Sequence, residues 1–128
     1  MPAYLLDTHT LLWWHEEDPH LSITAKEIIV NPNNTISVCI VSFWETIIKE
    51  SIGKLNLKYG IDDLTEACIR NNIQIVPIRL YYLNQLSLLP LIHKDPFDRM
   101  IVATAYCDHL TLISKDKQLS AYNIPVIR

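Results

Sequence analysis

The chain has 128 residues, 49% of them hydrophobic, and a formal net charge of −3. This length and composition predict one domain, residues 1–128, with its own core. The negative charge excludes a polycation that binds nucleic acid by bulk charge, so such binding would need a local basic patch or a bridging metal ion. Only two glycines occur and no Gly-rich phosphate loop is present, which excludes the common nucleotide-binding motifs.

In the first half of the chain, short apolar strands alternate with helices. The predicted segments are a strand at 4–6, a helix at 10–16, a helix at 22–30, a turn at 31–34, a strand at 35–41 and a helix from 42 towards Gly53. In the second half they are a helix from Asp62 or Asp63 to 71–72, a strand at 73–78, a helix at 80–88, a loop at 90–96, a helix at 97–109, a strand at 110–114, a short helix at 117–122 and an edge strand at 125–127.

This alternation predicts an α/β fold, a three-layer α/β/α sandwich with a mainly parallel sheet of four to five strands. Ligands of such sheets bind outside the carboxyl ends of the strands. Four carboxylates follow or face those ends: Asp7, Glu45, Asp98 and Asp116. We therefore expect these carboxylates to meet in one pocket, although they lie far apart in the sequence.

Each carboxylate also has a local interpretation. Asp7 and Asp116 are compatible with ordinary polar turns, and Asp98 is favoured in the first turn of a helix. Ser42-x-x-Glu45 matches a capping box, in which Glu45 would reach back to the start of its helix. However, apolar residues follow Glu45 and Asp98 at helical spacing, so both side chains point along partly apolar faces where a carboxylate needs a partner.

Other polar residues surround the acidic positions. Asp95 is predicted to cap the helix that contains Asp98, with Pro96 at the first helical position, and Thr8 either caps a helix or braces Asp7. His9 and His93 are interpreted either as substrate or outer-shell contacts, or as local hydrogen-bonding residues. Four cationic residues flank the last two acidic positions and would face phosphates, unless they are simply solvated: Lys94, Arg99, Lys115 and Lys117.

The acidic positions favour a hard divalent cation such as Mg²⁺ or Mn²⁺, which prefers oxygen ligands. Crowded carboxylates repel one another and raise each other's pKa values, and a bound cation relieves that repulsion. One or two such ions can activate water in phosphodiester cleavage. The three cysteines match no zinc or disulfide pattern, so we expect buried free thiols in a reducing cytoplasm. No signal peptide or membrane helix is expected.

Four short blocks, spread over nearly the whole chain, resemble the PIN domain family in order and spacing. They are Leu5-Leu6-Asp7-Thr8-His9, Ser42-Phe43-Trp44-Glu45, His93-Lys94-Asp95-Pro96-Phe97-Asp98-Arg99-Met100 and Ser114-Lys115-Asp116. The size resembles the VapC-type toxins of toxin–antitoxin modules. The resemblance implies a parallel sheet flanked by helices and an Mg²⁺- or Mn²⁺-dependent endoribonuclease.

The resemblance also implies the roles of individual residues. The family's acidic quartet corresponds to Asp7, Glu45, Asp98 and Asp116, with Thr8 and Ser114 as supporting hydroxyls and Asp95 as an additional acid. Proteins of this type form homodimers and are silenced by a cognate antitoxin that lies beside the active site. Trp13 or Trp14, taken as exposed, and the apolar run 81–91 are the candidate contact surfaces.

Two other classes of function are open to the sequence alone. In the first, the pocket is vestigial and the chain is a non-catalytic RNA- or protein-binding module, although all four carboxylates are present. In the second, the chain is a receiver-like domain or a small phosphatase. Receivers carry an adjacent acidic pair after the first strand, where only Asp7 occurs, and haloacid-type phosphatases need a second Asp at the position of His9.

Overall fold

The structure, a computed structural model, describes residues 2–128 and contains five strands and six α-helices in that range. The strands are β1 Ala3–Leu6, β2 Thr35–Cys39, β3 Gln74–Val76, β4 Thr111–Ile113 and β5 Val126–Ile127. The helices are α1 Thr8–His15, α2 Ile23–Val30, α3 Ile40–Ser51, α4 Ile61–Arg70, α5 Leu80–Leu86 and α6 Pro96–Asp108, and a 3₁₀ helix spans Lys117–Ala121. Every predicted element is present, with shifts of a few residues at its ends.

The strands form one fully parallel sheet in the order β3-β2-β1-β4-β5. The chain builds outward from central β1 to β2 and β3, and then returns to place β4 on the other side of β1. The order therefore reverses between β1 and β4, and crevices at such reversal points are the usual ligand sites of parallel sheets. Asp7 follows β1 directly, and Ser114 and Asp116 follow β4.

Both faces of the sheet are covered by helices, which confirms the predicted three-layer sandwich. Leu6 packs on one face with apolar residues of α1, α2 and α4, whereas the neighbouring Leu5 packs on the opposite face with residues of α5 and α6. Adjacent strand residues point to opposite faces, so strands buried on both sides are continuously apolar rather than alternating.

The start of α3 differs from the prediction. The strand predicted to reach Val41 ends at Cys39, and the helix begins at Ile40. Ser42 is therefore the third residue of α3 rather than its N-cap, and the capping-box interpretation of Ser42 and Glu45 is wrong. Val41 is buried in the core on the α6 side of the sheet, and this packing overrides the strand preference of a β-branched residue.

The start of α1 also differs, by two residues. Asp7 is its N-cap, because Asp7 Oδ1 accepts a hydrogen bond from the Thr10 backbone N–H at 2.9 Å. The helix consequently begins at Thr8 rather than Thr10, and the prediction that Thr8 caps a helix or braces Asp7 is wrong, because its hydroxyl donates to Glu45. This start buries the Thr8 side chain beside α3, where it meets the acidic residues described below.

The thiol prediction is confirmed for Cys39 and Cys68, which are buried and free, while Cys107 is free and partly buried. Burial raises the pKa of Cys39 to about 12 and that of Cys68 to about 11, so neither is a reactive thiolate. Of the helices formed by residues 2–128, none combines the length and the apolar character needed to span a bilayer.

Candidate active site

A cleft of about 340 Å³ opens at the reversal point of the sheet, at the carboxyl ends of the strands. Five carboxylates line it: Asp7, Glu45, Asp95, Asp98 and Asp116. The structure thus brings together all four acidic residues singled out from the sequence and adds the predicted helix cap Asp95. Their proximity is a structural fact, whereas their metal-binding and catalytic roles stay predictions.

Asp7 is held rigidly at the floor of the cleft. Its side chain is buried, Oδ1 accepts from the Thr10 amide, and Oδ2 accepts from the Ser114 hydroxyl at 2.5 Å. Burial raises the pKa of Asp7, while the hydrogen bonds from Ser114 and Thr10 oppose that rise by stabilising the charged form. Ser114 thereby orients a carboxylate that lies 107 positions away in the sequence.

Glu45 is fixed by two partners, one from its own helix and one from α1. Thr8 donates its hydroxyl hydrogen bond to Glu45 Oε1 at 2.6 Å, and the same Thr8 oxygen lies 3.0 Å from the Ser42 hydroxyl. Lys49 Nζ pairs with Glu45 Oε2 at 2.6 Å. Glu45 is only 2% exposed, so Lys49 supplies the positive charge that a carboxylate at this depth requires.

Asp98 lies in the first turn of α6, among other acids. Burial, with the nearby charges of Asp95 and Glu45, raises the pKa of Asp98 to about 7, although His93 opposes the rise. Asp95 is the N-cap of α6 and accepts from the backbone amides of Phe97 and Asp98, with Pro96 at the first helical position. The capping prediction for Asp95 is therefore confirmed.

Asp116 caps the 3₁₀ helix and closes the far side of the cleft. Its Oδ1 accepts from the Gln118 amide, and its own backbone N–H donates to Ser114 Oγ at 3.0 Å. Its Oδ2 lies 2.9 Å from His93 Nε2, which is also 3.2 Å from Asp98 Oδ2. His93 therefore bridges the last two acidic positions.

The four predicted cationic residues occupy different environments. Lys115 lines the cleft, with Nζ 5.7 Å from the centre of the Trp13 ring. Lys94 and Lys117 are exposed and lie on the segments that carry Asp95 and Asp116. The guanidinium of Arg99 instead donates to the backbone carbonyls of Leu86, Leu89 and Pro90. Arg99 therefore anchors the loop before α6, and its predicted contact with substrate is not supported by this position.

Two polar residues of the cleft were not identified from the sequence as members of the site. Lys49 was overlooked, although its position four residues after Glu45 is the spacing at which helical side chains pair. The sequence predicts a helix cap at Ser42, whose side chain is instead completely buried against Thr8, next to the cleft. His9 and Trp13 also line the cleft, with their rings 5.7 Å apart.

A larger depression of about 480 Å³ lies between α1 and α4. It contains the contact between His15 and Asp63, with Tyr59 edge-on against the His15 ring, but it does not gather several carboxylates. We locate the site by its chemistry rather than by its volume, and the acidic cleft is where ligands of a hard cation converge.

The donor set of the cleft fits a divalent cation. Carboxylate oxygens from the ends of β1 and β4 and from α3 and α6 face one space, and burial together with repulsion from the neighbouring carboxylates raises the pKa of Asp98. A bound Mg²⁺ or Mn²⁺ would relieve this repulsion, and both ions prefer oxygen ligands. Asp7, Glu45, Asp98 and Asp116 would hold such an ion, and this ligand set stays a prediction.

The fold and the site define a class: a parallel, three-layer α/β domain with an acidic cleft where the strand order reverses. The sequence matches the PIN domain family over residues 4–125, and the chain belongs to that family. Ribonuclease VapC22 of Mycobacterium tuberculosis (strain ATCC 25618 / H37Rv) is 26% identical over 126 residues, which are 98% of this chain and 95% of that protein.

Solved structures show the same fold. VapBC2 from Rickettsia felis, bound to a DNA fragment from its promoter, gives a TM-score of 0.73 at 14% identity, covering 98% of this chain and 97% of that chain. DNA-bound VapBC from Salmonella typhimurium also gives a TM-score of 0.73 at 14% identity, covering 99% and 98% respectively. At this level of identity the likeness establishes the fold alone.

Proposed function

We propose that this protein is a metal-dependent endoribonuclease that hydrolyses RNA phosphodiester bonds, and that it is the toxin of a type II toxin–antitoxin module. The observation that carries the proposal is the convergence of Asp7, Glu45, Asp98 and Asp116 in one cleft of a PIN-family chain. The similarity to a relative named as a ribonuclease supports the reaction class.

In this proposal Asp7, Glu45, Asp98 and Asp116 hold Mg²⁺ or Mn²⁺. Such an ion, when bound, makes water a better nucleophile at neutral pH and stabilises the leaving oxygen. The chain's own task is to hold the four carboxylates in place. Ser114 fixes Asp7, and Thr8 fixes Glu45 through short hydrogen bonds, so little rearrangement is needed when the ion binds.

The RNA is proposed to approach across Lys115 and Trp13. Lys115 offers a positive charge to phosphate at the edge of an otherwise acidic cleft, and the Trp13 ring, on which His20 stacks at 5.6 Å, supports Lys115 there. Lys94 and Lys117 are exposed on flanking segments and would add to the attraction of phosphate. We propose all three lysines as substrate-binding residues.

A cognate antitoxin and a second copy of the chain are the proposed protein partners, and the cytoplasm is the proposed location. The similar solved structures include VapBC assemblies, which supports an antitoxin partner. In the apolar run 81–91, Leu88 is 75% and Leu91 is 90% exposed, whereas Tyr82 is buried and Leu86 and Leu89 pack partly against the core. Trp13 and Trp14 are half-buried and pack partly against the core, so they offer less contact surface than the sequence predicted.

The decisive experiment is cleavage of labelled RNA by purified protein in Mn²⁺, in Mg²⁺ and in EDTA. Asp98→Asn should lower the rate about 100-fold or more, because even outer-shell partners of metal sites contribute 10- to 100-fold. Asp62→Asn, at an exposed carboxylate of α4, is the matched control and should cleave like the parent. A parent protein that binds Mn²⁺ but never cuts RNA would instead support a non-catalytic binding module.

A further inference from the structure

The ring of His93 is held from both sides. The Asp95 backbone N–H donates to His93 Nδ1 at 3.1 Å. On the opposite side, His93 Nε2 lies 2.9 Å from Asp116 Oδ2 and 3.2 Å from Asp98 Oδ2. The side chain is only 15% exposed, so these contacts replace most of its contact with water.

The Asp95 contact determines which ring nitrogen carries the proton. A nitrogen that accepts a hydrogen bond carries no proton, so in the neutral His93 ring Nδ1 is unprotonated and Nε2 is protonated. The Nε2–H group then donates to Asp116 Oδ2 and lies 3.2 Å from Asp98 Oδ2, so it faces both carboxylates as a donor. Its lone pair is not available to a cation, even though the three ligand atoms of His93, Asp98 and Asp116 lie within 4.8 Å of one another.

We propose that His93 is a positioning residue of the metal centre and not one of its ligands. Its Nε2–H group donates to one oxygen of Asp116 and keeps that oxygen beside one oxygen of Asp98. The cation would then use the other oxygen of Asp98 and the lone pairs that Asp116 has left, since Asp116 Oδ1 also accepts from the Gln118 amide. This role rests on the proposed metal-binding function of the cleft. Outer-shell hydrogen bonds of this kind orient ligands and contribute measurably to metal affinity.

The placement of His93 depends on the segment around it. The His93 backbone N–H donates to the Tyr122 hydroxyl at 2.9 Å, and Tyr122 is buried. The amide that binds the ring belongs to Asp95, whose side chain caps α6. The loop that carries His93 is thus tied to the start of the helix that carries Asp98, as a preorganised site requires.

Nuclear magnetic resonance of the parent protein tests the tautomer directly. Long-range ¹⁵N–¹H correlations of the His93 ring should show Nε2–H both in metal-free protein and with saturating Mg²⁺, at about pH 8, where an ordinary imidazole is neutral. An Nδ1–H tautomer in the Mg²⁺-loaded protein would make His93 a ligand and overturn the proposal. This readout needs no variant, so it does not depend on the folding of a mutant.

A matched pair of variants tests the role. The amide of Gln reaches the position of Nε2 and can still donate to the carboxylates, whereas the amide of Asn reaches only the position of Nδ1. His93→Asn should therefore weaken Mn²⁺ binding, measured by calorimetry, about 10- to 100-fold, whereas His93→Gln should recover most of the affinity. Parent-like affinity in folded His93→Asn would overturn the proposal.

These readouts separate this inference from the nuclease proposal, because none of them uses RNA cleavage. A parent protein that binds Mn²⁺ with the expected tautomer and variant pattern, but cuts no RNA, would refute the nuclease and support the role of His93. A protein that cuts RNA while His93 is in the Nδ1–H form would support the nuclease and refute the role of His93.

Discussion

Asp98→Asn should make the metal-free protein more stable at neutral and alkaline pH, although it should abolish cleavage. Asp98 shares its cleft with four other carboxylates, and burial together with Asp95 and Glu45 raises its pKa to about 7. At pH 8 the folded, metal-free protein must therefore keep a negative charge on Asp98, where burial and the neighbouring carboxylates disfavour it. Asn removes that charge at nearly the same volume.

The sign and size of this change in the free energy of unfolding follow from the pKa of Asp98 in the folded and in the unfolded chain. The pKa of Asp98 is about 7 in the folded chain, against 3.8 for an unperturbed Asp. Between these values the folded state binds more protons than the unfolded state, so the free energy of unfolding falls as the pH rises from about 4 to 7. A pKa shift of about three units limits the stabilisation by Asp98→Asn to about 4 kcal/mol. Because solvent screens charges in an open cleft, we expect a gain of about 1–2 kcal/mol at pH 8.

Urea unfolding in EDTA, at several values between pH 5 and pH 8, measures this effect. The advantage of Asp98→Asn over the parent should grow as the pH rises, and saturating Mn²⁺ should reverse the order by stabilising the parent more. The exposed control Asp62→Asn should change stability by no more than about 0.5 kcal/mol. An Asp98→Asn protein that is no more stable than the parent at pH 8 in EDTA would refute the repulsion described here.

Three further predictions concern the supports of the site and the core. Asp95→Ala should cost about 1 kcal/mol in urea unfolding through loss of the cap of α6, whereas Asp95→Asn should keep the cap; weakened Mn²⁺ binding by Asp95→Asn in calorimetry would show a metal-binding role instead. Lys49→Met should cost about 1–3 kcal/mol at pH 7, because it leaves a buried carboxylate unpaired, whereas Lys54→Met, at an exposed position, should change little; equal effects would contradict the pairing. Leu112→Ala should cost about 2–5 kcal/mol by thermal or urea unfolding, and Leu91→Ala less than about 0.5 kcal/mol; a small loss at Leu112 would contradict its complete burial.

The sequence predicted the layers well because apolar runs report burial directly. Leu5 and Leu6 are both fully buried, on opposite faces of the sheet, as an apolar run with no alternation indicates. The strand order was not predictable in the same way. No local pattern states that β4 returns to pair with β1, because that pairing depends on contacts between residues more than a hundred positions apart.

The exact ends of helices were predicted less well, and at the start of α3 this error led to a wrong interpretation of Ser42 and Glu45. Ser42 and Glu45 have the residue types and spacing of a capping box, but the helix starts two residues earlier because Val41 packs in the core. The same shift places Ser42 beside Thr8. A local motif was thus outweighed by packing between distant elements, which a single sequence does not display.

Arg99 shows why neighbourhood in sequence is a poor guide to a cleft. Successive residues of an α-helix point about 100° apart, so Arg99 does not share the direction of Asp98. It turns instead towards the loop before α6 and binds three carbonyl groups there. Lys49 is the opposite case, because its spacing of four from Glu45 places both on one face of α3.

The charge balance of the cleft connects the fold to the proposed chemistry. Five carboxylates face only two lysines, Lys49 and Lys115, and Lys49 is already paired with Glu45. Even with Asp98 neutral, the metal-free cleft remains negative and should repel phosphate. RNA binding by the inactive Asp98→Asn variant, measured by fluorescence anisotropy, should therefore be stronger at Mn²⁺ concentrations that calorimetry shows to saturate this variant than in EDTA. Affinity that is independent of Mn²⁺ would place the RNA away from the carboxylates, on the exposed lysines alone.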